Sequence, residues 1–172
     1  MQNNPPDFSA RAGKWMIVAA WLAALGLLTL LFSNVLERKY NPNQKLQTNY
    51  QGETREVVLQ SSRHGHYIAT GQINNKSVVF LVDTGASFVS VPENLANKLD
   101  LKKGVVSQST TANGVINTFA TTLDEISLGD ITLYDVRASI NPYMQGDEVL
   151  LGMSFLRQLE VIHKDGELKI RQ

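Results

Sequence analysis

The sequence of 172 residues contains no cysteine, which excludes disulfide bridges, thiolate metal sites and a cysteine nucleophile. Its 16 basic and 16 acidic residues balance, so it lacks the basic excess that nucleic-acid-binding proteins carry. Of its three histidines, His64 and His66 would share one strand face, with no third ligand nearby. We therefore expect no nucleic-acid partner, no metal ion and no cofactor.

A long uncharged segment lies near the N-terminus. Trp15 to Ser33 carries no charge, and as a helix it would be about 28 Å long, close to the hydrocarbon thickness of a bilayer. No small-x-small cleavage pattern follows it, which favours a retained anchor over a cleaved signal peptide. A buried core helix is disfavoured because the segment is apolar on every face. The sequence predicts a polar tail over residues 1–14 and a transmembrane helix over residues 15–34.

The residues after this helix are polar. They are rich in Asn, Gln and Thr and lack apolar periodicity, so we predict a linker over residues 35–56. Basic residues lie on both sides of the apolar segment, with Arg11 and Lys14 before it and three more after it. The positive-inside rule therefore does not decide the orientation.

The pattern from residue 57 onward is typical of β-structure. Apolar alternation recurs between turn residues such as Asn74-Asn75 and Asn113-Gly114, and it predicts separate strands over residues 115–123 and 126–128. Pro92 favours the start of a short helix. Residues 57–172 are predicted to form one mostly antiparallel β domain.

One stretch in this domain places a carboxyl group directly after a buried strand. Three apolar residues precede Asp83, and a carboxylate there is costly unless it is hydrogen-bonded or shares a proton. Gly85 permits a tight turn after it. The position suits a carboxyl group held rigidly beside a group on which it acts. The competing interpretation is that Asp83 only caps its own turn.

The stretch Leu81-Val82-Asp83-Thr84-Gly85-Ala86-Ser87 resembles the Asp-Thr-Gly loop of the retropepsin-like aspartic proteases. Later in the chain, Leu150, Leu151 and Gly152 resemble the apolar-apolar-Gly motif of that family, and the order of the motifs is the same. The resemblance implies an all-β domain, a closed barrel or sandwich with short helices, in which this second motif packs beside the catalytic loop.

The resemblance also implies a hairpin that folds over substrate as a flap, with Ala112, Asn113 and Gly114 at its tip. Asn113-Gly114 is also simply the commonest kind of hairpin turn. The assignment as a flap therefore depends on the family resemblance.

By the same resemblance Asp83 is the catalytic carboxylate, and Thr84, Gly85, Ala86 and Ser87 support its loop. Peptide hydrolysis of this type uses two carboxyl groups around one water molecule. The sequence has one Asp-Thr-Gly, so the partner must come from a second copy of the chain in a homodimer. The other acids are predicted to be solvated, and only the pair Asp147-Glu148 merits a check.

We therefore predict a membrane-anchored aspartic endopeptidase that acts on protein or peptide substrates as a homodimer. The resemblance implies the inner (cell) membrane as its location and the periplasm as the site of the catalytic domain. Two alternatives stay open. One is a non-enzymatic, membrane-tethered peptide-binding or assembly module with the same fold, and the other is a dormant monomer with a blocked cleft.

Overall fold

The computed structural model describes residues 8–111 and 114–172, which fall into two units. The first unit ends at Arg38 and is helical, because helix α1 spans Phe8–Tyr40. Within α1, Gly13–Glu37 has a mean hydropathy of 2.3 and none of it is buried in the protein. By length and composition this segment is a candidate membrane span. The helix is longer than the predicted 15–34, since good helix formers such as Arg and Lys continue it.

The second unit, Lys39–Gln172, holds eleven strands and two short helices among its described residues. In chain order these are β1 (Thr48–Gln51), β2 (Thr54–Gln60), β3 (Ile68–Ile73), β4 (Lys76–Val82), β5 (Val89–Pro92), α2 (Glu93–Lys98), β6 (Val106–Thr111), β7 (Gly114–Leu128), β8 (Ile131–Asn141), β9 (Glu148–Leu151), α3 (Met153–Leu156), β10 (Glu160–Lys164) and β11 (Glu167–Arg171).

The strands form two sheets. The larger has the order β3-β4-β9-β5-β8-β7-β6, and a further pairing of β3 with β7 closes six of its strands into a barrel. The smaller has the order β1-β2-β11-β10 and is antiparallel throughout. In the larger sheet, β4 pairs with β9 and β5 with β8 in parallel. The all-β architecture with short helices confirms the predicted fold class.

The hydrophobic core is formed by apolar side chains from elements that lie far apart in sequence. Phe80 on β4, Leu123 on β7, Ile140 on β8, Leu151 on β9 and Phe155 on α3 are all fully buried. Burying side chains of this size contributes roughly 1.5–3 kcal/mol each to folding. The core fixes the ends of β4 and β9, from which the Asp83 loop and Gly152 follow.

The turn predicted at Asn74-Asn75 is present between β3 and β4. Both residues have positive φ, 48° and 63°, as a tight hairpin turn requires. Asparagine tolerates this conformation better than other residues with a side chain. The turn sets the register in which Ile68 pairs with Leu81, close to the end of β4.

The segment predicted as a linker, residues 35–56, differs in the structure. Helix α1 continues to Tyr40, and β1 and the start of β2 lie within the segment. The side-chain amide of Asn43 donates to the carbonyl oxygens of Gln60 (2.9 Å) and Ile68 (2.7 Å), and its Oδ1 accepts from the amide of Gln60 (2.8 Å). Asparagine can thus replace a peptide group in a strand, so a polar segment is ordered without apolar periodicity.

Candidate active site

Asp83 follows β4 directly and begins a tight loop. Its amide donates to the carbonyl oxygen of Leu151 (3.2 Å), and its own carbonyl oxygen accepts from the amide of Ala86 (3.3 Å). The carboxyl atom Oδ1 accepts a hydrogen bond from the amide of Gly85 (2.9 Å), and the side chain is half-buried. The loop therefore holds one carboxylate oxygen in a fixed position and leaves part of the group accessible.

The strand β9 and the residues after it pack against this loop. In the parallel pairing of β4 and β9, Leu81 lies beside Leu150 and Val82 beside Leu151. A Cβ at Gly152 would collide with the backbone around Phe88, so only glycine permits this approach. The structure thus brings together the two motifs that are about 70 residues apart in sequence.

Hydrogen bonds from α3 strengthen this contact. The amide of Met153 donates to the carbonyl oxygen of Ala86 (2.8 Å). The amide of Val89 donates to Oγ of the buried Ser154 (2.9 Å). The backbone on both sides of the Asp83 loop is therefore anchored to the start of α3.

A cavity of about 540 Å³ opens above Asp83. The Asp83 loop and β9 supply one wall, and the hairpin of β6 and β7 supplies another. Representative lining residues are Asp83, Ser87, Phe88 and Leu150 on the first wall, and Ser109 and Ile116 on the second. A cavity of this size lies in the usual range for ligand sites.

The predicted loop residues differ in their exposure. Gly85 and Ala86 line the cavity together with Asp83 and Ser87, whereas Leu151 is fully buried in the core. Thr84 is exposed. An exposed threonine in this loop is accessible to a second copy of the chain.

The hairpin of β6 and β7 lines the cavity opposite the Asp83 loop. Gly114 opens β7 with φ of 119°, while the predicted tip residues Ala112 and Asn113 lie outside the described residues. Ser109 Oγ and Thr118 Oγ1 lie 3.1 Å apart within hydrogen-bonding distance, and both residues line the cavity. The wall that faces Asp83 is therefore rich in hydroxyl groups.

Asp83 is the only acidic residue among the described residues that line this cavity. Asp147 is exposed and accepts hydrogen bonds from Asn94 (3.0 Å) and Lys98 (3.1 Å). Glu148 is half-buried, its Oε1 has no hydrogen-bond partner in the described part of the chain, and burial raises its pKa. Neither residue of this pair lines the cavity, so neither is a second catalytic group within the same subunit.

The described residues contain no cluster of three or more His, Asp or Glu side chains that would hold a metal ion. The described lining of the cavity provides a single fixed carboxylate, that of Asp83, and surrounding hydroxyl groups.

Residues 69–158, more than half of the chain, match the family described as gag-polyprotein putative aspartyl protease. The chain belongs to this aspartyl protease family. Both the Asp83 loop and Gly152 fall within the matched residues. The resemblance found in the sequence is thereby confirmed.

Two curated proteins are also similar to this chain. An uncharacterized protein in the cobV 5′ region of Sinorhizobium sp. is 36% identical over 128 residues, covering 72% of this chain and 54% of the relative. An uncharacterized protein of Rickettsia prowazekii (strain Madrid E) is 30% identical over 121 residues, covering 69% of this chain and 52% of the relative. The chain spans about half the length of both relatives.

A solved structure agrees with the fold. The crystal structure of a retropepsin-like aspartic protease from Rickettsia conorii matches with a TM-score of 0.56 at 23% identity. The match covers 74% of this chain and 94% of that one. The β domain of this chain therefore has the retropepsin-like fold.

Several residues that line the cavity were not among those predicted from the sequence. Phe88, Ser90, Ser109, Ser139 and Asn141 all contribute to it. Phe88 follows the motif directly, and alternating hydroxyl residues along β6 are a signal that would have found Ser109. The contributions of Ser139 and Asn141 depend on the register of β8 against β5, which the sequence does not specify.

Proposed function

We propose that this protein is a membrane-anchored aspartic endopeptidase that hydrolyses peptide bonds in protein substrates, with a catalytic dyad formed by Asp83 from each of two subunits. The observation that carries the proposal is the position of Asp83: its carboxyl group is held by Gly85 and faces a cavity of about 540 Å³. Membership in the aspartyl protease family supports the same chemistry.

In the proposed mechanism the two Asp83 carboxyl groups share one proton, because two adjacent negative charges repel each other. The ionised group removes a proton from a water molecule as the water attacks the peptide carbonyl carbon. The protonated group donates a hydrogen bond to the carbonyl oxygen. The resulting tetrahedral intermediate breaks its C–N bond, and the nitrogen leaves as an amine after it takes a proton from the dyad.

The homodimer is supported by the count of carboxyl groups. Asp83 is alone among the acids in the described lining of its cavity, and one carboxylate does not supply both an acid and a base. We assign the exposed Thr84 to hydrogen bonds across the twofold axis, as the family resemblance implies. Residues 112–114 are assigned to the flap that covers bound substrate.

The anchor is supported by the apolar segment Gly13–Glu37 of α1. Confining two subunits to one membrane would raise their effective concentration and favour the dimer. We place the helix in the inner membrane and the protease domain in the periplasm. Protease added to intact spheroplasts should then digest the domain, and protection until the membrane is lysed would contradict this placement.

Replacement of Asp83 by asparagine tests the catalytic role. We expect Asp83→Asn to lower cleavage of an unfolded protein substrate by about a thousandfold or more, since no ionised base remains, while the circular dichroism spectrum is unchanged. The matched control is Asp147→Asn, an exposed acid outside the cavity, which should retain activity.

Full activity of Asp83→Asn would refute the proposal. If both variants and the wild type bind peptides without cutting them, the protein is instead a tethered peptide-binding module.

A further inference from the structure

A second and larger cavity, of about 730 Å³, adjoins the one above Asp83. The two cavities share Phe88, Ser109, Thr118 and Ser139 as lining residues. They are therefore two parts of one groove between the β6–β7 hairpin and the barrel. A peptide bound at Asp83 has a path into the second cavity.

Arg137 on β8 lies in this second cavity. In the pairing of β7 and β8, Arg137 lies opposite Thr122, and Ser139 lies opposite Ala120. Because alternate residues of a strand face the same side, Arg137 and Ser139 both face the groove. The guanidinium carbon of Arg137 lies 6.0 Å from the ring centroid of Phe88. The attraction between a cation and an aromatic face favours this position of the guanidinium group, beside Phe88, which lines both cavities.

Five charged residues line the second cavity, and ion pairs neutralise two of them. Asp100 binds Lys76 (2.6 Å), and Lys103 binds Glu93. The remaining three are Lys102, Asp124 and Arg137.

No carboxylate in the described residues lies within 4.0 Å of Lys102 or Arg137 in an ion pair. Asp124 is two residues beyond Thr122 on β7, about 7 Å farther from the shared wall. It accepts a long hydrogen bond from Asn74 (3.5 Å). Arg137, which contacts the shared lining residue Phe88, therefore has no ion-pair partner among the described residues.

We propose that this second cavity is a substrate subsite that binds a carboxylate of the peptide through Arg137. The guanidinium group presents a planar fork of N–H donors that matches a carboxylate, and the hydroxyl groups of Ser107 and Ser139 in the same cavity supply further donors. The carboxylate belongs to an Asp or Glu side chain or to the terminus of the peptide. The assignment rests on the proposed peptidase function and adds a substrate preference to it.

The test uses the full-length protein in detergent and fluorogenic peptides in matched sets. One set moves a single Glu through the positions on either side of the cleaved bond, and a second set replaces that Glu by Gln. Each peptide is made with a free and an amidated C-terminus. We expect Glu at one position to lower KM about fivefold relative to Gln. A preference for the free terminus instead identifies the terminal carboxylate as the ligand.

Substitutions assign the preference to its residue. Arg137→Gln should abolish the preference by raising KM for the Glu peptide to the value for the Gln peptide, and Arg137→Lys should retain part of the preference. The matched control is Arg63→Gln, an exposed arginine outside both cavities, which should keep the full preference. Arg137 is exposed, so its substitution is not expected to impair folding, and thermal unfolding checks this.

Equal cleavage of all acidic and neutral peptides by the wild type would overturn the subsite and leave the proposed peptidase intact. Retention of the preference for Glu peptides in Arg137→Gln would also overturn the subsite and leave the proposed peptidase intact. Fluorescence anisotropy of the same peptides with Asp83→Asn gives a readout without cleavage. Arg137-dependent binding there, with no cleavage by the wild type, would support the subsite and refute the peptidase. Binding that is indifferent to charge would overturn the subsite.

Discussion

The backbone carbonyl of Phe88 occupies the space in which a Cβ at Gly152 would stand. The carbonyl oxygen of Ala86 is also only 2.7 Å from that point. Both obstacles are backbone atoms of the loop that carries Asp83, so they cannot rotate away as a side chain would. The contact between Gly152 and Phe88 therefore links the fold of β9 to the position of Asp83.

Gly152→Ala should consequently destabilise the protein and displace the Asp83 loop. We expect a loss of about 2–3 kcal/mol in the free energy of unfolding, as for overpacked sites, and a fall in peptidase activity in the folded fraction. Urea denaturation and cleavage assays measure the two effects. Gly65→Ala is the control, because Gly65 has φ of 81° but open space around it, and it should cost only about 1 kcal/mol. Equal losses in both variants would contradict the steric argument.

A dyad shared between subunits predicts how mixtures behave. When equal amounts of wild type and Asp83→Asn are denatured together and reassembled, only about a quarter of the dimers carry two intact carboxyl groups. Activity should fall to about that fraction. Retention of half the activity would mean that each subunit acts alone, and mixing with Asp147→Asn should cause no loss.

Glu148 should make stability depend on pH. Burial raises its pKa, so the folded state favours the protonated form and stability falls as the pH rises from about 4.3, the usual glutamate value, through the raised pKa. Glu148→Gln removes the free-energy cost of burying an ionised carboxylate. It should be more stable than the wild type at pH 7 and similar at pH 4, as measured by urea denaturation.

Glu56 provides a comparison of opposite sign. Arg171 Nε donates to its Oε2 (2.5 Å), and this hydrogen bond lowers the pKa of Glu56. The stability that the ionised Glu56 contributes is present above the usual glutamate pKa and is lost as the pH falls through the lowered pKa of the folded state. Glu56→Gln should therefore be less stable than the wild type at pH 7. If both variants shifted stability in the same direction, the assigned causes would be wrong.

The buried Asn43 should be essential to the stability of the protease domain. Asn43→Ala removes three hydrogen bonds to Gln60 and Ile68 and leaves buried backbone groups without partners. We expect a loss of about 2–4 kcal/mol and a lower Tm. Asn117→Ala, at an exposed position of β7, should change stability by less than about 0.5 kcal/mol.

The features that the sequence predicted correctly depend on local chemistry. The turn at Asn74-Asn75 follows from the tolerance of asparagine for positive φ, and the Asp83 loop follows from an apolar strand that ends in Asp-Thr-Gly. The packing role of Gly152 was implied by the family motif and is visible as a close backbone contact.

The features that the sequence did not predict depend on contacts between residues distant in sequence. Asp124 and Glu125 predicted a break between two strands, whereas β7 runs unbroken from Gly114 to Leu128. The amide of Glu125 donates to Oδ1 of Asn74 (3.0 Å). On the neighbouring strand β8, Asp135 has a positive φ of 53°, and this local distortion accommodates Asp124 and Glu125 within β7. The proximity of Arg137 to the groove likewise follows from strand register, which composition does not reveal.

The contacts of Asn41 and Asn43 also limit how the domain can be shed from its helix. Asn41 Oδ1 accepts from the amide of Asn43 (3.0 Å), and its Nδ2 donates to Thr70 Oγ1 (2.9 Å), so folding extends almost to the end of α1 at Tyr40. A cut on the N-terminal side of Asn41 would release the β domain with these contacts intact. A cut a few residues later would release a fragment without these two side chains, so the site of shedding would decide the lifetime of the released protein.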